Sequence, residues 1–164
     1  MANDTWATPN EVFDTLDFEF MFELDVCAEH STAKCDLYWT VEDDALTTDW
    51  VSLRGMIDRP GDDLWLWCNP PYSKIGPWVE KAIEAQLGGV GVVMLVMCDP
   101  SVKWFSRALE YCSEVRYITN GRLSFLNNGV RQTANNKGSV IFVFNPVKIG
   151  ACETKYIDRS TFGV

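Results

Sequence analysis

The stretch "VGVVMLVMC" (90–98) runs for nine residues without a charge, and four of them are valine. A β-branched run with no polar alternation suits a central strand of a parallel sheet that helices cover on both faces. On either side the apolar spacing becomes helical. After Pro77, "WVEKAIEAQ" puts Val79, Ala82, Ile83 and Gln86 on one face before "LGG" stops it, and "SVKWFSRALEYC" (101–112) keeps Val102, Phe105, Leu109 and Cys112 in register. Further strands are expected at "FMFELDVCA" (20–28), which runs into Asp25, at "LWLWC" (64–68), "VRYIT" (115–119) and "SVIFVF" (139–144). "TPNE" (8–11) reads as a helix start, with Thr8 as N-cap, Pro9 in the first helical position and Glu11 closing a capping box ahead of Val12, Phe13 and Leu16. The βαβαβ order predicts a doubly wound α/β sheet, and 164 residues with 47% hydrophobic content predict one domain over 1–164.

Open α/β sheets bind ligands outside the carboxyl ends of their strands, and both Asp25 and Asn69 fall at such ends. Asn69 opens Asn69-Pro70-Pro71-Tyr72. Residues that precede proline are driven toward extended geometry, so Asn69 and Pro70 cannot roll straight into a helix. The Pro70 carbonyl is then free to project beside the Asn69 side-chain oxygen. Two neutral acceptors converging on one point suit a planar exocyclic amino group: holding both its hydrogens localises the nitrogen lone pair without removing a proton. Tyr72 offers an aromatic face to an extruded base, a contact worth ~1–3 kcal/mol. The competing reading is a proline turn with its tyrosine in the core.

The formal net charge of −9 disfavours a nucleic-acid partner at first sight, but the charge is divided. Residues 1–98 hold 5 basic and 18 acidic side chains, against 9 and 5 in 99–164. Arg116, Arg122, Arg131, Lys137 and Lys148 lie between Val115 and Cys152 with no acid among them, so this segment can meet a phosphate backbone; the alternative is a solvated face. The six cysteines form no C-x-x-C pair and His30 is the one histidine, so no metal site is expected. No basic-then-apolar leader opens the chain, and 88–98 is shorter than the ~20 residues of a membrane span. A cytoplasmic chain with reduced thiols and no membrane contact is therefore expected.

Asn69–Tyr72 resembles the (Asn/Asp/Ser)-Pro-Pro-(Tyr/Phe/Trp) motif of class I S-adenosylmethionine-dependent amino-methyltransferases. With "WATPNEVFDTL", "LDVCA", "ALTTDW", "WCNPPYSKIGPWVEKA" and "GRLSF" in this order, the chain is similar to the small phage-type, Dam-like DNA N6-adenine methyltransferases from about Trp6 to Phe144. The resemblance implies a Rossmann-like sheet, S-adenosylmethionine as cofactor, double-stranded DNA as partner and a flipped adenine, in GATC for the family, as target. Asn69, Pro70, Pro71 and Tyr72 carry over as the catalytic run, with Asn69 also beside the cofactor. Trp6, Thr8 and Pro9 carry over to the methionine end of the cofactor, and Asp25 with the backbone of Val26, Cys27 and Ala28 to its first motif. Asp49 and Trp50 carry over to its adenine. Helix capping by Thr8 and core filling by Trp50 remain the alternatives.

Two departures accompany the likeness. Asp25 is followed by "VCAEHSTAK" in place of Gly-x-Gly, and only about eight residues then precede "CDLYWT", so a reduced or missing first crossover helix is expected. The ribose-binding acid is left open among Asp36, Glu42, Asp43 and Asp44. The Arg-, Asn-, Gln- and Gly-rich stretch 120–139 is expected to contact DNA as an insertion between the last strands, with Arg122 and Arg131 as the candidates for DNA contact and Lys137 for phosphate; the alternative is a mobile polar hairpin. The rival functions are methylation of RNA adenine or protein glutamine, and a catalytically silent DNA-binding module or decoy.

Overall fold

A computed structural model of the chain describes residues 4–57, 59, 62–133, 136–148 and 150–164. In chain order it runs α1 (Asn10–Phe20), β1 (Leu24–Asp25), β2 (Leu37–Tyr38), α2 (Leu53–Met56), β3 (Trp65–Cys68), α3 (Gly76–Leu87), β4 (Gly91–Met97), α4 (Lys103–Tyr111), β5 (Glu114–Thr119), β6 (Leu126–Asn127), β7 (Val130–Arg131), β8 (Ser139–Phe144) and β9 (Glu153–Asp158). Seven strands make one sheet in the order β2-β1-β3-β4-β8-β5-β9, and β6 and β7 pair separately as a hairpin. Only β8 opposes its neighbours, being antiparallel to both β4 and β5. This is a Rossmann-like, mostly parallel sheet with few helices.

The uncharged run at 90–98 becomes β4, and the two-residue period of a strand divides it between two cores. Val92, Met94 and Val96 face the layer of α3 and α4 with Phe105, Phe142 and Phe144, whereas Val93 and Leu95 face α1 with Phe13, Trp67 and Ile141. Each fully buried aliphatic side chain contributes roughly 1.5–3 kcal/mol relative to exposure. β4 accordingly has parallel β3 on one side but antiparallel β8 on the other, so the expectation of a parallel neighbourhood holds on one edge only.

The connections explain the other differences from expectation. α1 begins one residue after Pro9 with no side-chain cap and runs through Phe20, taking the residue where a strand is expected from sequence; Met21, at φ 54°, ends it with its N–H on the Asp17 carbonyl at 2.7 Å. β1 is left with two residues. Between β1 and β2 the chain makes only turns, with the Thr32 and Ala33 N–H groups on the Glu29 carbonyl at 3.0 Å, which accounts for the reduced crossover. β9 has no sequence signature, because its "ETKYID" exposes nearly every residue and shows no apolar face.

Arg116 does not belong to a DNA-facing basic stripe. Its guanidinium is buried between α1 and β5, on Glu19 at 2.6 and 2.7 Å and on Glu114 at 2.7 Å. Lys148 donates its Nζ to the Glu110 carbonyl at 3.1 Å. No helix among the described residues is long and apolar enough to cross a membrane. The six cysteines are free thiols, with the Sγ atoms of Cys112 and Cys152 3.2 Å apart.

Candidate active site

The carboxyl ends of β1 and β3 open into a cavity of about 380 Å³. That lies at the small end of the ~300–1,000 Å³ typical of ligand pockets. Asp25, Val26, Cys27 and Ala28 form its wall at β1; Asn69, Pro71, Ser73, Lys74 and Trp78 form the wall at β3; Trp6, Ala7 and Thr8 close a third side. Segments distant in sequence thus meet because strands of a parallel sheet end on one rim.

Asp25 is the buried acid of this cavity. Its Oδ1 accepts the Cys27 N–H at 3.2 Å and its Oδ2 the Lys34 N–H at 3.1 Å. Burial nevertheless pushes the carboxyl up to about 6, against the two backbone N–H groups and the nearby Lys34 charge that favour ionisation. A carboxylate so poorly solvated gains from a cationic ligand group beside it. Lys34 also lines the cavity, donates its Nζ to Asn10 Oδ1 at 2.6 Å, and has its ammonium pKa lowered by burial.

Asn69 follows the last residue of β3. Its Nδ2 donates to Thr8 Oγ1 at 2.9 Å across 61 positions of sequence. The Pro71 carbonyl accepts the Lys74 N–H at 3.1 Å and closes a turn, whereas the Pro70 carbonyl takes no backbone hydrogen bond among the described residues. The double proline thus leaves one carbonyl unspent. Ser73 is gripped by Asp4, through its N–H at 3.1 Å and its Oγ at 2.6 Å. Tyr72 is half-buried, its ring edge-on to Phe125 at 6.0 Å and 81°; its hydroxyl is buried without a hydrogen-bond partner among the described residues, and burial pushes its pKa up.

Other expected site residues are placed elsewhere. Thr8 caps no helix: it is fully buried, with its hydroxyl on Asn69. Pro9, Asp49 and Trp50 do not line the cavity, and of the expected catalytic run Asn69 and Pro71 line it whereas Pro70 and Tyr72 do not. Asp49 is exposed and its Oδ1 accepts the Val51 N–H at 2.9 Å, while Trp50 is a core residue whose Nε1 donates to the Ala45 carbonyl at 2.8 Å. Trp50 instead backs Trp78, 6.2 Å away, and Trp78 faces the cavity. In sequence Trp78 is one more buried position of α3, and only the cavity distinguishes it. Of the four open acids, Asp44 alone lines the cavity; Asp43 is bound to the Thr40 N–H at 2.8 Å in a local capping box.

The 120–139 stretch leaves β5, forms the β6–β7 hairpin and returns to β8; residues 134 and 135 lie outside the described residues. Asn128 and Gly129 turn the hairpin at φ 50° and 79°, the two positive values of a type I′ turn. Its base pairs with the wall of the cavity: the Ala7 N–H meets the Leu126 carbonyl at 2.7 Å and the reverse bond is 2.9 Å. Arg131 makes an ion pair with Glu11 at 2.8 Å and Lys137 one with Asp99 at 2.8 Å, both on the surface. The Arg122 carbonyl accepts from Arg159 Nη1 at 3.3 Å.

Residues 1–162 match the model of the family described as DNA N-6-adenine-methyltransferase (Dam). A DNA N-6-adenine-methyltransferase of Haemophilus phage HP1 (strain HP1c1) is 36% identical over 160 residues, which cover 94% of this chain and 86% of the relative. A protein of the same description from Escherichia phage T1 is 31% identical over 174 residues, covering 95% of this chain and 69% of the relative. A match over nearly the whole length, on a chain whose Asn-Pro-Pro-Tyr turn opens beside a buried acid, leaves one family: the protein is a member of the Dam family of DNA N-6-adenine-methyltransferases.

Proposed function

We propose that the chain transfers a methyl group from S-adenosylmethionine to the exocyclic nitrogen of a flipped adenine in double-stranded DNA, in the cytoplasm of a bacterial host. The observation that carries this reading is the turn after β3, which sets the neutral Asn69 side chain on the wall of the cavity that holds Asp25, followed directly by a Pro70 carbonyl without a backbone hydrogen bond among the described residues. The cavity fits the cofactor in volume and in chemistry: a desolvated carboxylate for the cationic methionine end, Trp78 for an aromatic ring, and Asp44 for ribose hydroxyls. Trp6 and Thr8 close the methionine side. When bound, S-adenosylmethionine supplies the electrophilic methyl group.

The rest falls to the protein. Asn69 Oδ1 and the Pro70 oxygen accept the two amine hydrogens and hold the nitrogen lone pair out of the base's π-system. Pro71 stiffens the turn. The proton leaves for water only after the nitrogen has become cationic, so no strong base is needed. Tyr72 presents its ring to the extruded base, stacking being worth ~1–3 kcal/mol. Arg122 and Arg131 contact bases and Lys137 a phosphate, with DNA replacing Glu11 and Asp99 as partners of the last two. GATC is the expected site, as in the family.

Methyl-labelled cofactor is the test, offered separately to duplex DNA, RNA and protein. Label should enter DNA adenine, and Asn69→Ala should lower transfer at least about 1,000-fold, at the upper end of the ~10²–10³ lost with one oxyanion-type contact, while calorimetric cofactor affinity stays within a few-fold. Label in RNA or protein alone, or full turnover by the variant, overturns the reading. Methylation-sensitive nucleases on DNA from expressing cells would report whether GATC is protected.

A further inference from the structure

We infer that Lys34 is the cation that holds the carboxylate of the cofactor's amino-acid end, so that Lys34 and Asp25 together select a zwitterion. The inference rests on S-adenosylmethionine as methyl donor and deepens that part of the reading above. An amino-acid end carries an ammonium and a carboxylate on one carbon, and Asp25 answers only the first. Four acids, Asp4, Asp25, Glu29 and Asp44, line the cavity, so an entering carboxylate is repelled unless a cation places it. Lys34 and Lys74 are the cations among the lining residues.

Lys34 is the one beside Asp25. Its backbone N–H donates to Asp25 Oδ2 at 3.1 Å, and its charge draws the Asp25 carboxyl toward ionisation. The two side chains nonetheless form no ion pair among the described residues; the ammonium gives a hydrogen to Asn10 Oδ1 at 2.6 Å instead. An ammonium has three hydrogens to give, and Asn10 is a neutral partner. Burial makes the charge costly, against the attraction of Asp14, Asp25 and Glu11 that sustains it. Acid and cation are thus neighbours that have not closed on each other, an arrangement that suits a ligand bringing one charge of each sign. Lys74, by contrast, is exposed on the wall at β3, after the Asn-Pro-Pro-Tyr turn.

A cycle between ligand and protein tests this by calorimetry, without turnover. S-adenosylhomocysteine, the thioether left after methyl transfer, keeps the amino-acid end; its decarboxylated counterpart keeps the ammonium alone. The parent should bind the first about ten-fold or more tighter than the second, the span of a charge-assisted hydrogen bond. Lys34→Met, which keeps the apolar stem and removes the charge, should weaken the first by that factor and leave the second unchanged or slightly tighter, because a charge that repels its ammonium is gone. Lys34→Arg should retain the discrimination. Asn10→Ala should change neither affinity by more than about two-fold. Equal weakening of both ligands by Lys34→Met, or a loss of the same size in Asn10→Ala, would make Lys34 a tether between the β1–β2 connection and α1 and overturn the inference. Discrimination that survives Lys34→Met and collapses in Lys74→Gln would overturn it in favour of the other lysine. A parent that binds neither ligand would sink the inference and the proposed cofactor together, whereas a parent that shows the cycle and labels no DNA adenine would sink the proposed function alone.

Discussion

Asp25 couples the cavity to pH. Folded, it keeps its proton up to about pH 6; unfolded, it releases it near the usual carboxylate value of 3.8. Between these values the folded chain binds the extra proton, so the stability owed to this group falls as pH rises from about 4 to about 6 and is level above. A cationic ligand end reverses the preference, because it favours the ionised acid. Cofactor affinity measured by calorimetry should therefore rise several-fold from about pH 5 to about pH 7, and Asp25→Asn should flatten that rise while lowering affinity at neutral pH. Asp25 and Asn69 are legible in the sequence because each ends an apolar strand, and strand ends are where such sheets bind. Thr8 is legible only as a name in a motif: "TPNE" has a sufficient local explanation as a helix start, and nothing local signals a partner 61 positions away. Asp49 and Trp50 show the converse, since an exposed turn-closing acid and a core tryptophan share their sequence appearance with ligand contacts.

At the scale of elements, long apolar or amphipathic segments can be read and short polar ones cannot. β4, α3 and α4 announce themselves through burial: β4 through an unbroken run, the helices through their spacing. The β6–β7 hairpin and β9 carry few buried side chains, so their pairing is set by turn geometry and by the neighbouring strand. The Asn-Gly pair is the available signal for the hairpin. Gly129 sits at φ +79° with open space where a Cβ would be, so a substitution there is opposed by backbone conformation alone. Gly129→Val should strain the turn by about 1–2 kcal/mol, loosening the hairpin that carries Arg131. The expected result is weaker duplex binding in a fluorescence titration with a smaller effect on cofactor affinity, since the cavity wall is held by the Asp4–Ser73 and Thr8–Asn69 bonds as well as by the Ala7–Leu126 pair.

For the whole molecule, the net charge of −9 hides a division that the fold makes spatial only in part. Arg116 is consumed inside and Lys148 on a carbonyl, which leaves the hairpin side with fewer cations for DNA than the sequence advertises. Each phosphate contact contributes a slope of about −0.9 in log affinity against log salt, so Lys137→Gln should make that slope shallower by about one and weaken all duplexes alike. Arg131→Gln should instead weaken the preferred site more than others; salt titrations on cognate and scrambled duplexes check both. One topological feature bears on how such proteins diversify. Because β8 runs against β5, the excursion from Thr119 to Ser139 departs from and rejoins the same rim at neighbouring ladder positions. Its span is therefore independent of its length, and residues can be gained or lost there at little entropic cost and without shifting a single core strand. Such changes are confined to the part beyond the Leu126–Ala7 pairing, because Leu123 and Phe125 belong to the core and Phe125 packs on Tyr72.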